Sequence, residues 1–144
     1  MDFIRVTTHE EICEVMKKCA DFFFDQKYND ELIIDKLSKK FSENAKVIVC
    51  LEDKNVLGFV SYYCNNYEAR LAFVSMIIVV GKATGKGVGS KLMEQVCVDA
   101  KESGMLGVEL EVSKENHRAI SFYKKLNFLE KEMRQNSLIL SKEL

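Results

Sequence analysis

Apolar residues recur along this chain at two spacings, and the change from one to the other divides it into elements. Phe3 to Val6 reads as a short strand. Thr8 and Glu11 then make a Thr-x-x-Glu capping box, which marks a helix start. Ile12, Val15, Met16, Cys19 and Phe23 follow at helical spacing, and the triplet Phe22, Phe23, Phe24 closes the segment. At least two of these three rings are expected in the core. A second helix is predicted from Asp30 as N-cap, with Ile33, Ile34, Leu37 and Phe41 on its buried side.

The pattern then changes to that of strands. Lys46 to Leu51 and Val56 to Cys64 read as two strands, joined by the polar turn Glu52 to Asn55. After a turn at Asn65 to Tyr67, Leu71 to Val80 is almost unbroken apolar sequence. Such a run predicts a strand buried on both faces. Gly81 to Gly89 is a glycine-rich loop. It leads into a helix with Val88, Leu92, Val96 and Ala100 on one stripe, which Gly104 should stop. Val108, Leu110 and Val112 alternate with Glu109, Glu111 and Ser113 as a strand. Asn116 to Leu126 reads as a helix with Ala119, Ile120 and Tyr123 on one side. Phe128 to Met133 and Leu138 to Leu140 complete the pattern as a hairpin. The order is strand, two helices, three strands, helix, strand, helix, two strands. That predicts an α/β (α+β) fold in one domain over residues 1–144, with no proline-rich or repetitive linker.

Composition narrows the function. The net charge is −1, so the basic footprint of a nucleic-acid binder is absent. Five cysteines without a C-x-x-C pair read as reduced, buried thiols. Two distant histidines, His9 and His117, give no metal-ligating set, so no metal is expected. No apolar run reaches membrane-spanning length, and the N-terminus lacks a signal-peptide core. A cytoplasmic protein without membrane partners is expected, as a monomer or homodimer.

Gly85, Gly87 and Gly89 carry the candidate chemistry. Glycines at alternate positions let backbone amides approach a ligand closely, and the following helix adds unpaired N–H groups and its positive dipole end. Together they suit a phosphate, although a plain connecting loop has the same composition. The spacing G-x-G-x-G fits neither a Walker loop nor a dinucleotide fingerprint.

Two blocks resemble the GNAT superfamily of acetyl-CoA-dependent N-acetyltransferases. Val79 to Gly89, VVGKATGKGVG, is similar to that family's pyrophosphate loop. Its Gln/Arg-x-x-Gly-x-Gly/Ala pattern falls on Thr84, Gly85, Lys86, Gly87, Val88 and Gly89. Asn116 to Phe128, NHRAISFYKKLNF, is similar to the family's Asn-x-x-Ala-x-x-Phe-Tyr-x-Lys-x-Gly-Phe block. Two departures are Thr84 for Gln or Arg, expected to weaken rather than abolish cofactor binding, and Asn127 for Gly, which a positive φ tolerates.

The resemblance implies a mostly antiparallel mixed sheet of about seven strands flanked by about four helices. It implies that acetyl-CoA donates its acetyl group directly to an amine acceptor. It places coenzyme A on the loop residues, on Asn116, and on backbone groups of Ile77 and Val79. It implies that Tyr123 protonates the leaving thiolate. Asn116 is equally a helix N-cap. Glu111 is a candidate base because Leu110-Glu111-Val112 resembles the strand of ribosomal-protein N-acetyltransferases; a water relay is the other. Lys114, Lys124 and Lys125 are candidates for the coenzyme 3′-phosphate. Phe22 to Tyr28 and Arg134 to Ser137 should shape the acceptor pocket. A non-catalytic acyl-CoA-binding module is the alternative to an enzyme, and turnover against amines separates the two.

Overall fold

A computed structural model describes residues 1–144. The chain runs β1 (Asp2–Val6), α1 (His9–Cys19), α2 (Glu31–Asn44), β2 (Lys46–Glu52), β3 (Asn55–Asn66), β4 (Leu71–Val79), α3 (Val88–Glu102), β5 (Gly107–Ser113), α4 (His117–Lys125), β6 (Leu129–Met133) and β7 (Ser137–Glu143). Seven strands form one sheet in the order β1-β2-β3-β4-β5-β7-β6. The fold is therefore the expected mixed one, a seven-stranded sheet with four helices.

Local signals place the helices. The Thr8 hydroxyl accepts from the Glu11 amide at 3.1 Å and caps α1, and Asp30 accepts from the Ile33 amide at 3.1 Å and caps α2. Gly104, at φ +85°, ends α3. There the Met105 amide reaches back to the Ala100 carbonyl at 2.9 Å, as in a Schellman stop. Asn127 has φ +72°, the conformation in which asparagine replaces glycine at least cost.

The two faces of the sheet are covered differently. On β3, Tyr63 packs against Phe41 of α2, so its odd-numbered side chains face α1 and α2. Tyr62 donates a hydrogen bond to Asp99 of α3 at 2.8 Å, so the even-numbered positions face α3. Asp99 also receives Lys46 at 2.8 Å, with Arg5 nearby at 3.7 Å. Burial alone would raise the Asp99 pKa. The hydrogen bonds from Lys46 and Tyr62 and the charges of Lys46 and Arg5 outweigh it, holding the carboxyl below its ordinary range. This network fastens α3, whose N-terminus follows the glycine loop, to β1, β2 and β3.

One neighbouring pair, β4 and β5, is parallel, and it is short. It runs from Leu71↔Gly107 to Val74↔Leu110 and stops. Beyond Val74 the two strands are no longer paired, and a gap opens in the sheet. This corrects the expectation that β4 is buried on both faces. Phe73 is 40 % exposed, Ser75 is exposed, and Met76 to Val79 are only half-buried. Ile77, Ile78 and Val79 pack against the core on one side and line the gap on the other. The Phe triplet is corrected too. Only Phe23 is core, while Phe22 and Phe24 are 46 % and 56 % exposed.

Gly58 on β3 leaves no room for a side chain between β4 and α3. A Cβ there would lie 2.5 Å from the Ile78 carbonyl oxygen and 3.3 Å from Val88 Cγ1. Gly58→Ala should therefore push β4 away from β3 and lower stability by about 1–3 kcal/mol, as overpacking does. Chemical denaturation checks this; an unchanged midpoint would mean that β4 yields freely.

Candidate active site

A cleft of about 660 Å³ opens where β4 and β5 separate. Its floor is Ile77, Ile78 and Val79 of β4, and its end wall is the glycine loop. Asn116, Ala119, Phe122 and Tyr123 of α4 form one side. Phe22 and Phe24, from the connection between α1 and α2, close the other. The Phe122 ring of α4 lies against Gly89 of α3. A Cβ on Gly89 would lie 3.0 Å from that ring, so glycine lets the ring sit on the helix backbone there.

The floor presents backbone polar groups to the gap. The Val80 amide donates to the Leu57 carbonyl at 2.9 Å. Ladder bonds alternate along an antiparallel pair, so Ile78 and Met76 also face β3. Ile77 and Val79 then point their N–H and C=O away from β3, toward the space that β5 has left. Their side chains are not what the cleft uses at these positions.

The loop presents amides. Thr84 and Lys86 donate to Gly81 and Ala83, and Lys91 donates to Gly87. The amides of Gly85, Gly87, Val88, Gly89 and Ser90 have no protein acceptor. Gly85 and Gly87 have φ of +87° and +76°, a region that L side chains rarely adopt. No heavy atom lies within 4 Å of where either Cβ would be. The loop thus offers several donors, the positive end of α3 and open space above two glycines. No carboxylate lines the cleft. An anionic ligand such as a pyrophosphate fits this arrangement. The Val88 side chain is buried in the core, which leaves only its backbone for a ligand. The Lys86 side chain turns away to Glu52 at 3.4 Å and is no part of the wall.

Tyr123 lies at the buried end, 8 % exposed, between Phe122 and Phe128 at ring distances of 5.4 and 5.8 Å. Burial pushes its hydroxyl up to about 12, so it is a proton donor across the physiological range. No protein group hydrogen-bonds that hydroxyl. Asn116 caps α4 through Oδ1, which accepts from the Ala119 amide at 3.2 Å, and its amide nitrogen remains free to face the cleft.

The other sequence-predicted residues lie elsewhere. Glu111 is not in the cleft wall. It projects from the face of β5 opposite to Leu110 and Val112, where its carboxylate accepts from Ser137 Oγ at 2.6 Å and Arg134 Nη1 at 3.3 Å. Glu109 pairs with Lys131. Lys114 donates to the Gln135 carbonyl at 3.1 Å and Lys124 pairs with Glu130 at 3.2 Å. Neither they nor Lys125 line the cleft; the charged side chain that does is Arg118. Sequence reasoning passed over Arg118, although it lies inside the second block between Asn116 and Ala119. Cys97 is half-buried outside the cleft, and burial pushes its thiol up, which disfavours the thiolate a covalent route needs.

A second groove of about 630 Å³ lies between α3 and β1, lined in part by Arg5 and Asp99. It has none of the loop's free amides.

Comparison with known proteins agrees with this geometry. The model of the acetyltransferase (GNAT) family matches residues 9–128. An uncharacterised N-acetyltransferase of Methanocaldococcus jannaschii is 38 % identical over 100 residues, which is 67 % of this chain and 44 % of that protein. The matched stretch thus spans less than half the length of that curated relative. Two solved structures share the fold over almost their whole length. One, a protein from Desulfovibrio desulfuricans assigned to the GNAT family, has a TM-score of 0.82 at 16 % identity, covering 99 % of this chain and 98 % of its own. The other, the PaiA N-acetyltransferase of Thermoplasma acidophilum in complex with coenzyme A, has a TM-score of 0.79 at 17 % identity, covering 100 % of both chains. The protein belongs to the acetyltransferase (GNAT) family.

Proposed function

We propose that this protein is an acetyl-CoA-dependent N-acetyltransferase that acts on a primary amine, with residues 1–144 working as one domain. One sheet and one continuous hydrophobic core support the single unit. The observation that carries the function is the set of unpartnered amides of Gly85, Gly87, Val88, Gly89 and Ser90, opening on a cleft that ends at Tyr123. Acetyl-CoA supplies an activated acetyl thioester. The loop amides hold its pyrophosphate, and the backbone of Ile77 and Val79 holds the amide-bearing arm in the gap.

Acid and base lie on opposite sides of the sheet. Tyr123 belongs to the α3 and α4 side and gives its proton to the departing sulfur. Glu111 projects on the α1 and α2 side and takes the proton of the incoming amine, with Ser137 and Arg134 fixing its carboxylate. The gap between β4 and β5 lets the acceptor approach from one side a donor bound from the other. Phe22 and Phe24 border that approach. Such direct transfer relies on positioning and proton transfer without a covalent acyl-enzyme.

The test is release of free thiol from acetyl-CoA in the presence of a panel of primary amines, including peptides with free N-termini, lysine, polyamines and amino sugars. Amine-dependent release supports the reading. Coenzyme A bound without turnover on the whole panel would instead favour a binding module. The ligand alone gives a further expected result. Coenzyme A at about a hundredfold excess over its Kd adds about 2.7 kcal/mol and should raise the melting temperature by about 5–10 °C. No shift at millimolar coenzyme A would remove the loop as its site.

A further inference from the structure

Arg118 is the one charged side chain in the cleft wall. It is exposed, and no ion pair or hydrogen bond within the protein engages its side chain. Three nearby lysines are otherwise occupied, Lys86 by Glu52, Lys114 by the Gln135 carbonyl and Lys124 by Glu130, and Lys82 and Lys125 lie outside the cleft wall. Arg118 also sits in the first turn of α4, a turn that has no acidic residue. A cation there opposes the positive end of the helix dipole. Local electrostatics therefore gives no reason for this arginine, whereas an anion in the cleft does.

The cleft is graded in depth. Tyr123 is buried and Arg118 is exposed, about 7.5 Å apart along the axis of α4 at 1.5 Å per residue. With the sulfur of the coenzyme near Tyr123 and its pyrophosphate on the glycine loop, the anion left for the exposed rim is the phosphate on the ribose. A guanidinium can bind it through two parallel hydrogen bonds. We propose that Arg118 binds the 3′-phosphate of coenzyme A and makes the cleft selective for the complete coenzyme over its 3′-dephospho form. The inference rests on the coenzyme A reading of the cleft and adds one residue and one specificity to it.

The experiment is calorimetric titration, at low ionic strength, of the wild type, Arg118→Gln and Lys124→Gln with coenzyme A and with 3′-dephospho-coenzyme A. The wild type should bind coenzyme A about tenfold more tightly than the dephospho form, as for a charge-assisted bond at a partly exposed site. Added salt should shrink that ratio. Arg118→Gln should bring it to within about twofold while leaving the dephospho affinity unchanged. Lys124→Gln, which removes the same charge elsewhere on α4, should keep the full ratio. Three results would overturn the inference: equal affinities in the wild type, a full ratio persisting in Arg118→Gln, or a similar loss for both ligands in Arg118→Gln. The last would move Arg118 to the pyrophosphate. A wild type that binds neither ligand would overturn the coenzyme reading itself, and this inference with it.

Discussion

Valine in place of Gly87 should weaken coenzyme A binding by about a hundredfold or more, with the protein still folded. Gly87 is the N-cap of α3 at φ +76°, where a side chain with a Cβ costs about 1–2 kcal/mol per residue. That is a small part of the roughly 5–15 kcal/mol that holds a domain together. No heavy atom lies within 4 Å of the new Cβ, so the free protein has room for it. That room is the space above the loop into which the amides point. The variant can hold its backbone and fill the phosphate position, or relax φ and turn the amides out of line. Either response costs affinity. Titration of the variant beside a thermal melt decides the matter. A folded variant binding coenzyme A within about threefold of the parent would remove the loop from the site.

The second large effect concerns Tyr123. Tyr123→Phe removes one hydroxyl and keeps the ring between Phe122 and Phe128, so packing survives. That hydroxyl has no protein partner, so its loss strands no buried donor or acceptor. If it protonates the sulfur, turnover should fall by roughly ten- to a thousandfold with little change in acetyl-CoA affinity. A thiolate leaves readily, which favours the lower part of the range. Steady-state kinetics with an acceptor found by the amine panel, beside a binding titration, makes the comparison. Unchanged turnover under rate-limiting chemistry would leave Tyr123 as a packing residue. Lost affinity with intact turnover would assign it to binding.

Much of this arrangement was legible in the sequence because local chemistry fixed it. The caps at Thr8, Asp30 and Asn116 are short-range hydrogen bonds, and all three form. Loop glycines and Asn127 announce backbone conformations that few residues adopt, and Gly85, Gly87 and Asn127 all have positive φ. The strands followed from alternation, although Phe128 starts no strand and β7 runs on to Glu143.

What was missed depends on long-range placement. An apolar run such as Leu71 to Val80 reads the same whether it meets a second core layer or a ligand cleft. Only the end of the β4–β5 pairing at Val74 and Leu110 separates the two. Phe22 and Phe24 resemble core residues by type, yet the turn at Ala20–Phe22 buries Phe23 and leaves the other two facing outward. The lysines offered for the 3′-phosphate were chosen by proximity in sequence. The actual partners of Lys124 and Lys114, Glu130 and the Gln135 carbonyl, come from β6 and the β6–β7 turn. Arg118 has no partner to reveal it, and it became visible only as the charge left over in the cleft wall.

The most direct test of the account follows the acetyl group itself. Acetyl-CoA labelled in the acetyl carbonyl is mixed with excess protein and an active amine, quenched within one turnover, and analysed by mass spectrometry. Direct transfer across the gap predicts label on the amine nitrogen in proportion to the thiol released, with the protein mass unchanged at every time point. Label on the protein before the amine, or label released as acetate without acetylated amine, would contradict it.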